Sequence, residues 1–210
     1  MGTKKPPKNT WILVAGGVAV AALVGFVVML DTSTVSIYTV IQAAALLGYL
    51  AVFFTSLSAL FIRELTRFFG RSFMTIHHIV AIVGLSMLTL HAATVAWDYQ
   101  SIRVFLPRFD SLQAFLELAG RPALWIFALT ALTALMRKTI GKSWKTIHWL
   151  NYLAFLLGTI HAQLIGSSFQ HLGIRIISAA LAIILVWAFI WRRTRKRRLQ
   201  RALQAKKQTQ

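Results

Sequence analysis

Hydrophobic residues form six long runs along the chain, and the sequence has no stretch with the two-residue alternation of a strand. About 20 mostly apolar residues cross the hydrocarbon core of a bilayer as a helix, so each run predicts a membrane span. The predicted spans cover residues 11–30, 37–62, 74–97, 122–136, 147–165 and 172–191. Residues 1–10 precede them as an N-terminal segment, and residues 192–210 follow as a basic tail. The expected fold is an all-α membrane protein, a six-helix transmembrane bundle.

The composition supports a membrane protein. Hydrophobic residues make up 57% of the chain and charged residues 13%, whereas soluble domains have about 45–50% and about 25%. These values exclude an ordinary soluble enzyme and a disordered chain. The absence of cysteine excludes disulfides, iron–sulfur clusters and thiolate zinc sites, so the six histidines are the main candidates for binding a transition metal.

The chain has 23 Lys and Arg against 5 Asp and Glu, but it is too hydrophobic for a nucleic-acid-binding protein. Most basic residues lie at the N-terminus, after the second and fourth spans, and in the tail. Six spans place these segments on one side, which the positive-inside rule makes cytoplasmic. We therefore expect a multi-pass protein of the inner (plasma) membrane, in contact with lipid, with both termini cytoplasmic. The long outer connection, residues 98–121, has a weak amphipathic pattern that predicts a short interfacial helix.

Histidines within predicted spans are the strongest functional signal, because such residues are rare inside membranes. The third span contains His77, His78 and His91, and the fifth contains His148 and His161. Helical spacings of 14 and 13 residues correspond to about 21 Å and about 19.5 Å. Because odd-numbered spans run in the same direction, each of two depths holds one histidine from each helix.

Two imidazoles at one depth can occupy both axial positions of a haem iron, which favours electron transfer over oxygen binding. The sequence thus predicts a b-type cytochrome with two haems (heme b), with His78 as an alternative ligand to His77. Fourteen residues return to within about 40° of the starting helix face, whereas thirteen miss it by about 140°. The fifth span must therefore present its ligands from different faces or be kinked near Gly158. A proton or ion transporter with a histidine relay is the alternative function.

Two segments resemble the ferric reductase and NADPH oxidase transmembrane domain family. Residues 75–81 (TIHHIVA), with His91 fourteen positions after His77, are similar to its third span, and residues 144–148 (WKTIH), with His161, are similar to its fifth. The spacings of 14 and 13 are those of that family. The resemblance implies that His77 and His148 hold an inner haem and that His91 and His161 hold an outer haem.

A second resemblance is to the haem-binding membrane subunit family that serves periplasmic methionine sulfoxide reductase. It involves Gly120-Arg121-Pro122 and the stretch 137–161, with Arg-Lys, Gly-Lys-Ser-Trp and both histidines of the fifth span. That family has a similar length and no attached flavin domain, and it has no histidine at the position of His77.

Two arginines are candidates to pair with haem propionates, namely Arg71 on the cytoplasmic side and Arg121 on the outer side. The sequence contains no dinucleotide-binding motif and no room for a flavin or nicotinamide domain. We therefore expect a membrane electron-transfer subunit of an oxidoreductase system. Its donor would be a separate cytoplasmic flavin reductase or quinol, and its acceptor a periplasmic reductase, ferric iron or oxygen.

Overall fold

The computed structural model describes residues 10–31, 36–70 and 73–208, and all regular structure within these ranges is helical. Three short 3-10 turns, at Ile102–Phe105, Gly141–Ser143 and Ser168–Gln170, connect some of the α-helices. In chain order the α-helices are α1 (Thr10–Asp31), α2 (Ile37–Leu60), α3 (Ile62–Phe69), α4 (Phe73–Asp98), α5 (Leu112–Glu117), α6 (Gly120–Leu135), α7 (Arg137–Ile140), α8 (Trp144–His148), α9 (Leu150–Ile165) and α10 (Leu172–Gln208). The predicted all-helical class is confirmed. The predicted N-terminal segment lies outside the described residues, apart from Thr10.

Four of the described helices are long and apolar enough to cross a membrane: Trp11–Met29, Ile37–Leu60, Phe73–Asp98 and Leu172–Ala202. A fifth candidate is the pair Gly120–Leu135 and Arg137–His148, which meet at a bend of 77°. The fifth predicted span corresponds to α9, an apolar helix of 16 residues. At 1.5 Å per residue it is about 24 Å long, shorter than a typical hydrocarbon core. The structure therefore supports four or five spans, and the six-span bundle stays a prediction.

Helix α10 continues far beyond its predicted end at Trp191. The sequence divides a span from a basic tail there, but the structure has one helix of 37 residues that ends at Gln208. The added part is rich in Arg, Lys, Gln, Ala and Leu, which have high helix propensity. Its first turn is bound to the bundle, since Arg192 forms hydrogen bonds of 2.7 and 2.9 Å with both carboxylate oxygens of Glu64. The Arg193 guanidinium also lies 3.6 Å from the ring centroid of Trp149.

We expect Glu64→Gln to loosen the beginning of this extension. A hydrogen bond from its own backbone amide and the Arg192 guanidinium lower the pKa of Glu64. A lowered folded-state pKa means that the ion pair stabilises the fold at neutral pH and that this contribution is lost as the pH falls through that value. Both partners are partly exposed, so the loss is about 0.5 kcal/mol.

Amide hydrogen exchange of residues 192–198 at neutral pH measures this effect, with Arg195→Gln as the control in the same extension. We expect faster exchange in Glu64→Gln. Equal protection in Glu64→Gln and the unmodified protein would show that the ion pair does not hold the helix.

Helix α2 is central to the bundle, since it contacts α1, α4, α9 and α10. It packs very closely against α4, where a Cβ atom at Gly48 would lie 2.8 Å from the side chain of Leu88. Toward α9 and α10, the Tyr49 hydroxyl lies 3.2 Å from the hydroxyl of Thr159 and donates to the carbonyl of Ser178 at 3.2 Å. The position of α2 determines which residues lie next to His77 and His91 of α4.

The outer connection contains the predicted short helix, which the structure places at α5. The α6 side chains of Arg121 and Trp125 hold the residues before it. Arg121 donates to the carbonyls of Arg103 and Leu106 at 3.0 Å each, and Trp125 donates to the carbonyl of Phe105 at 2.8 Å. These bonds fold the connection onto the end of α6.

Candidate functional site

The histidines of the third and fifth predicted spans come together in two pairs, which we name by their predicted depths. In the inner pair, His77 of α4 and His148 of α8 are close enough to interact electrostatically. In the outer pair, His91 of α4 and His161 of α9 do so as well. The order of the histidines along α4 is also their order along the α8–α9 segment, since the earlier histidines of the two segments interact electrostatically and so do the later ones.

The two adjacent histidines of α4 have different surroundings. His77 is buried, with 9% of its surface exposed, whereas His78 is exposed. Their ring centroids lie 5.8 Å apart, and His78 also interacts electrostatically with His148. Burial favours His77 as the side chain directed into the bundle. Among the described residues no group of three or more histidines and carboxylates that could hold a metal ion comes together.

His91 is held by a backbone carbonyl of the neighbouring helix. Its Nδ1 atom lies 3.0 Å from the carbonyl oxygen of Ile41 on α2. A carbonyl oxygen only accepts, so Nδ1 must carry the hydrogen and Nε2 keeps its lone pair. The contact therefore selects the tautomer of His91 whose Nε2 can bind a metal.

His161 is held in the same way from the other end of the outer connection. Its Nδ1 atom lies 2.6 Å from the carbonyl oxygen of Glu117, the last residue of α5. The last carbonyls of a helix have no partner within the helix, and this one accepts the imidazole hydrogen instead. Because α5 ends at Glu117, the carbonyl of this residue is free to accept the hydrogen of His161 in the outer pair.

A glycine makes room for the His161 ring. A Cβ atom at Gly120, the first residue of α6, would lie 2.7 Å from Cδ2 and 2.9 Å from Nε2 of His161. Real Cβ atoms do not approach other heavy atoms so closely. The position of the His161 ring thus depends on the absence of a side chain at residue 120.

His77 is bonded to a hydroxyl group instead of a carbonyl. Its Nδ1 atom lies 3.2 Å from the Oγ of Ser58, and both residues are buried. Ser58 is on α2, as Ile41 is, so a single helix holds the two paired histidines of α4, His77 and His91.

His148 is the last residue of α8, and the single residue Trp149 separates α8 from α9. The Asn151 amide nitrogen lies 3.3 and 3.4 Å from the two ring nitrogens of His148 and can donate to either of them. The Asn151 oxygen accepts a hydrogen bond from the Thr130 hydroxyl. Asn151, which Thr130 holds in turn, thus contacts the ring.

The sequence analysis left two solutions for the fifth span, ligands presented from different faces or a kink near Gly158. Helix α9 continues without a break through Gly158, beside which a Cβ atom would meet nothing within 4 Å. The regular helix is interrupted instead at Trp149, between His148 and His161, although this residue keeps α-helical backbone angles (φ −68°, ψ −18°).

Three of the four histidines share one arrangement, in which a ring N–H is directed to an acceptor on another helix. The acceptors are Ser58 Oγ for His77 and the backbone oxygens of Ile41 and Glu117 for His91 and His161. His148 instead contacts the amide nitrogen of Asn151. Histidines that bind metals almost always donate their second N–H in this manner, which fixes the ring and makes it a better ligand. Imidazoles held in this way are the donor set that a haem iron bound by two histidines would use.

The other predicted site residues have different outcomes. Arg71 lies outside the described residues. Arg121 is near enough to His161 to interact electrostatically, but its NH1 atom is bonded to the two loop carbonyls described above. Gly84 serves helix packing, since a Cβ atom there would lie 3.1 Å from that of Ala51 on α2.

Sequence reasoning missed the residues that hold the histidines, namely Ser58, Thr130 and Asn151, and the part played by Gly120 in the outer pair. Asn151 follows His148 by three residues, a helical spacing that could have indicated a contact. Ser58 and Thr130 have no such signal, because they lie in distant parts of the chain.

Comparison of the chain with protein-family models, curated proteins and solved structures gives no match.

Proposed function

We propose that this protein is a cytochrome b that carries electrons across a membrane through two haems. The inner haem is held by His77 and His148, and the outer haem by His91 and His161. The topology proposed with it has six spans and both termini in the cytoplasm, so that the inner pair lies at the cytoplasmic side. The basic residues at that end, including the extension of α10, support this orientation through the positive-inside rule.

One observation carries the proposal: His77 interacts electrostatically with His148 and His91 with His161, and three of these four rings direct an N–H to an acceptor on another helix. A lone histidine in a membrane protein can serve helix packing, but this reason does not account for two matched pairs on two co-directional segments. A relay of protons usually includes carboxylates within the spans. The predicted spans of this sequence contain none.

A bound haem supplies reversible one-electron redox chemistry. The chain's own residues bind it and control access to it. An iron held by two imidazoles would exchange electrons without binding a substrate. Acceptors on α2 and α5 hold His77, His91 and His161, and apolar helices surround the pairs.

We propose a cytoplasmic flavin reductase or quinol as the donor, and a periplasmic reductase, ferric iron or oxygen as the acceptor. His77 and His148 would hold the haem nearer the donor, and His91 and His161 would hold the haem nearer the acceptor. In this role the chain is the membrane subunit of an oxidoreductase system.

The absorption spectrum and haem content of the purified protein test the proposal. We expect a Soret band that shifts on reduction with dithionite, alpha bands of low-spin bis-imidazole iron, and two haems per chain. A colourless protein that binds no added haem would refute the cytochrome. If such a protein also showed pH-dependent ion flux in liposomes, the histidine relay would be the function instead.

A further inference from the structure

We propose that Ser58 is the positioning residue of the inner haem site, and that its hydroxyl selects His77 over His78 as the ligand and sets the potential of the inner haem. This inference rests on the proposed function. It arises from one juxtaposition, the Oγ of Ser58 at 3.2 Å from the Nδ1 of His77 within the α2–α4 interface.

The hydrogen bonds of Ser58 define the tautomer of His77. A serine hydroxyl has a single hydrogen, and that of Ser58 is donated to the carbonyl of Thr55 at 3.0 Å. The same oxygen therefore only accepts from His77, so Nδ1 carries the hydrogen and Nε2 has the free lone pair. The two hydrogen bonds, from His77 to Ser58 and from Ser58 to Thr55, thus leave the lone pair of Nε2 free to bind a metal.

Burial makes this bond costly to lose. Ser58 is 3% exposed and His77 is 9% exposed, so neither group can exchange its partner for water. Leaving a buried N–H without an acceptor is unfavourable, and the ring would turn to find another partner. His78 is exposed one position along the same helix, and it lies about 100° around the helix axis from His77. Ser58 on α2 contacts the first of the two rings and so distinguishes them.

The bond also affects the iron that the imidazole would hold. An imidazole that donates from Nδ1 to an acceptor is a more basic ligand, which stabilises oxidised iron and lowers its potential. In the outer pair the acceptors are the backbone oxygens of Ile41 and Glu117, which side-chain substitutions do not remove. At His77 the acceptor is a side chain. The potential of the inner haem can therefore be changed by substitution at residue 58 while the outer haem is left alone.

The test is a redox titration of the holoprotein monitored by its absorption spectrum, with electron paramagnetic resonance of the oxidised low-spin haems. We expect Ser58→Ala to shift one of the two midpoint potentials to a more positive value and to change the spectrum of that haem alone. Ser58→Thr retains the hydroxyl and restores the values of the unmodified protein. Ser56→Ala is the matched control, because Ser56 is also buried on α2.

Two results would overturn the role of Ser58: unchanged potentials in Ser58→Ala, or an equal shift in Ser56→Ala. If Ser58→Ala does not fold, Ser58→Cys provides the measurement, since a thiol is a weaker acceptor of similar size and gives a smaller shift in the same direction. Unchanged potentials in Ser58→Cys would contradict the proposal as well.

A second comparison tests the choice of ligand. We expect His77→Ala to lose one haem per chain and His78→Ala to retain both. The opposite result would assign the ligand to His78 and overturn the inference while leaving a two-haem cytochrome intact. The proposed function fails separately, because it fails only if the unmodified protein binds no haem.

Discussion

We expect His91→Ala and His161→Ala each to reduce the haem content from two per chain to one. Both residues belong to the outer pair, so either change removes one proposed ligand and its anchored N–H. A haem held by a single imidazole would lose affinity and its low-spin spectrum. We expect the proposed inner haem to be unaffected, because its histidines are held by other residues, Ser58 and Asn151.

Haem per chain, determined from the pyridine haemochrome spectrum and the protein concentration, measures this effect. His171→Ala is the control, since His171 is an exposed histidine before α10 and outside both pairs. We expect two haems in the control and one in each outer variant. Full haem content in both outer variants would mean that these residues are not ligands.

We expect Gly120→Ala to affect the outer haem nearly as strongly, although residue 120 has no side chain that could bind it. The added methyl group would lie 2.7 Å from the His161 ring, so the ring must move. The ring is held at 2.6 Å from the Glu117 carbonyl, and moving it breaks this bond. A lost hydrogen bond of this kind costs about 1 kcal/mol, in addition to the displacement of the ligand. We expect the outer haem to be lost or to change to a high-spin spectrum.

Gly173→Ala is the matched control for this change. Gly173 also lies in the first turn of a helix, and a Cβ atom there would meet nothing within 4 Å. Both variants are measured by haem content and by the absorption and resonance spectra of the oxidised protein. If Gly120→Ala retained an unchanged outer haem, the close contact between residue 120 and the ring would not matter to the site.

The helices were well predicted where the pattern is long and uninterrupted. The spans at 11–30, 37–62 and 74–97 correspond closely to α1, α2 and α4, because about 20 consecutive apolar residues leave little choice of structure. The predicted span 172–191 corresponds to the first part of α10, but the continuation of the helix to Gln208 was not predicted, since hydropathy locates the edge of a span and not the end of a helix. The fourth predicted span, 122–136, ends one residue beyond the end of α6 at Leu135. The interruption at Trp149 was not predicted, because it lies within the predicted span 147–165 and this position has neither proline nor glycine.

The site was predicted as far as residue type and spacing could determine it. His77, His91, His148 and His161 stand out because histidine is rare in apolar segments, and their spacings place them at two depths. The choice between His77 and His78 stayed open, since adjacent residues on a helix have the same neighbours in sequence. Burial of His77 against Ser58 in the α2–α4 interface now favours one of them.

By itself the sequence determined which segments are apolar helices, where the positive charge accumulates and which side chains can bind a metal. These properties belong to single residues or to residues a few positions apart, so hydropathy and helical spacing describe them. Only the tertiary structure decided which acceptor meets each imidazole and where the backbone comes close enough to require glycine. Ser58 and His77 are 19 residues apart, and Glu117 and His161 are 44 apart. The packing angle and axial shift of two helices bring such residues together, and these depend on the fit of many side chains at once.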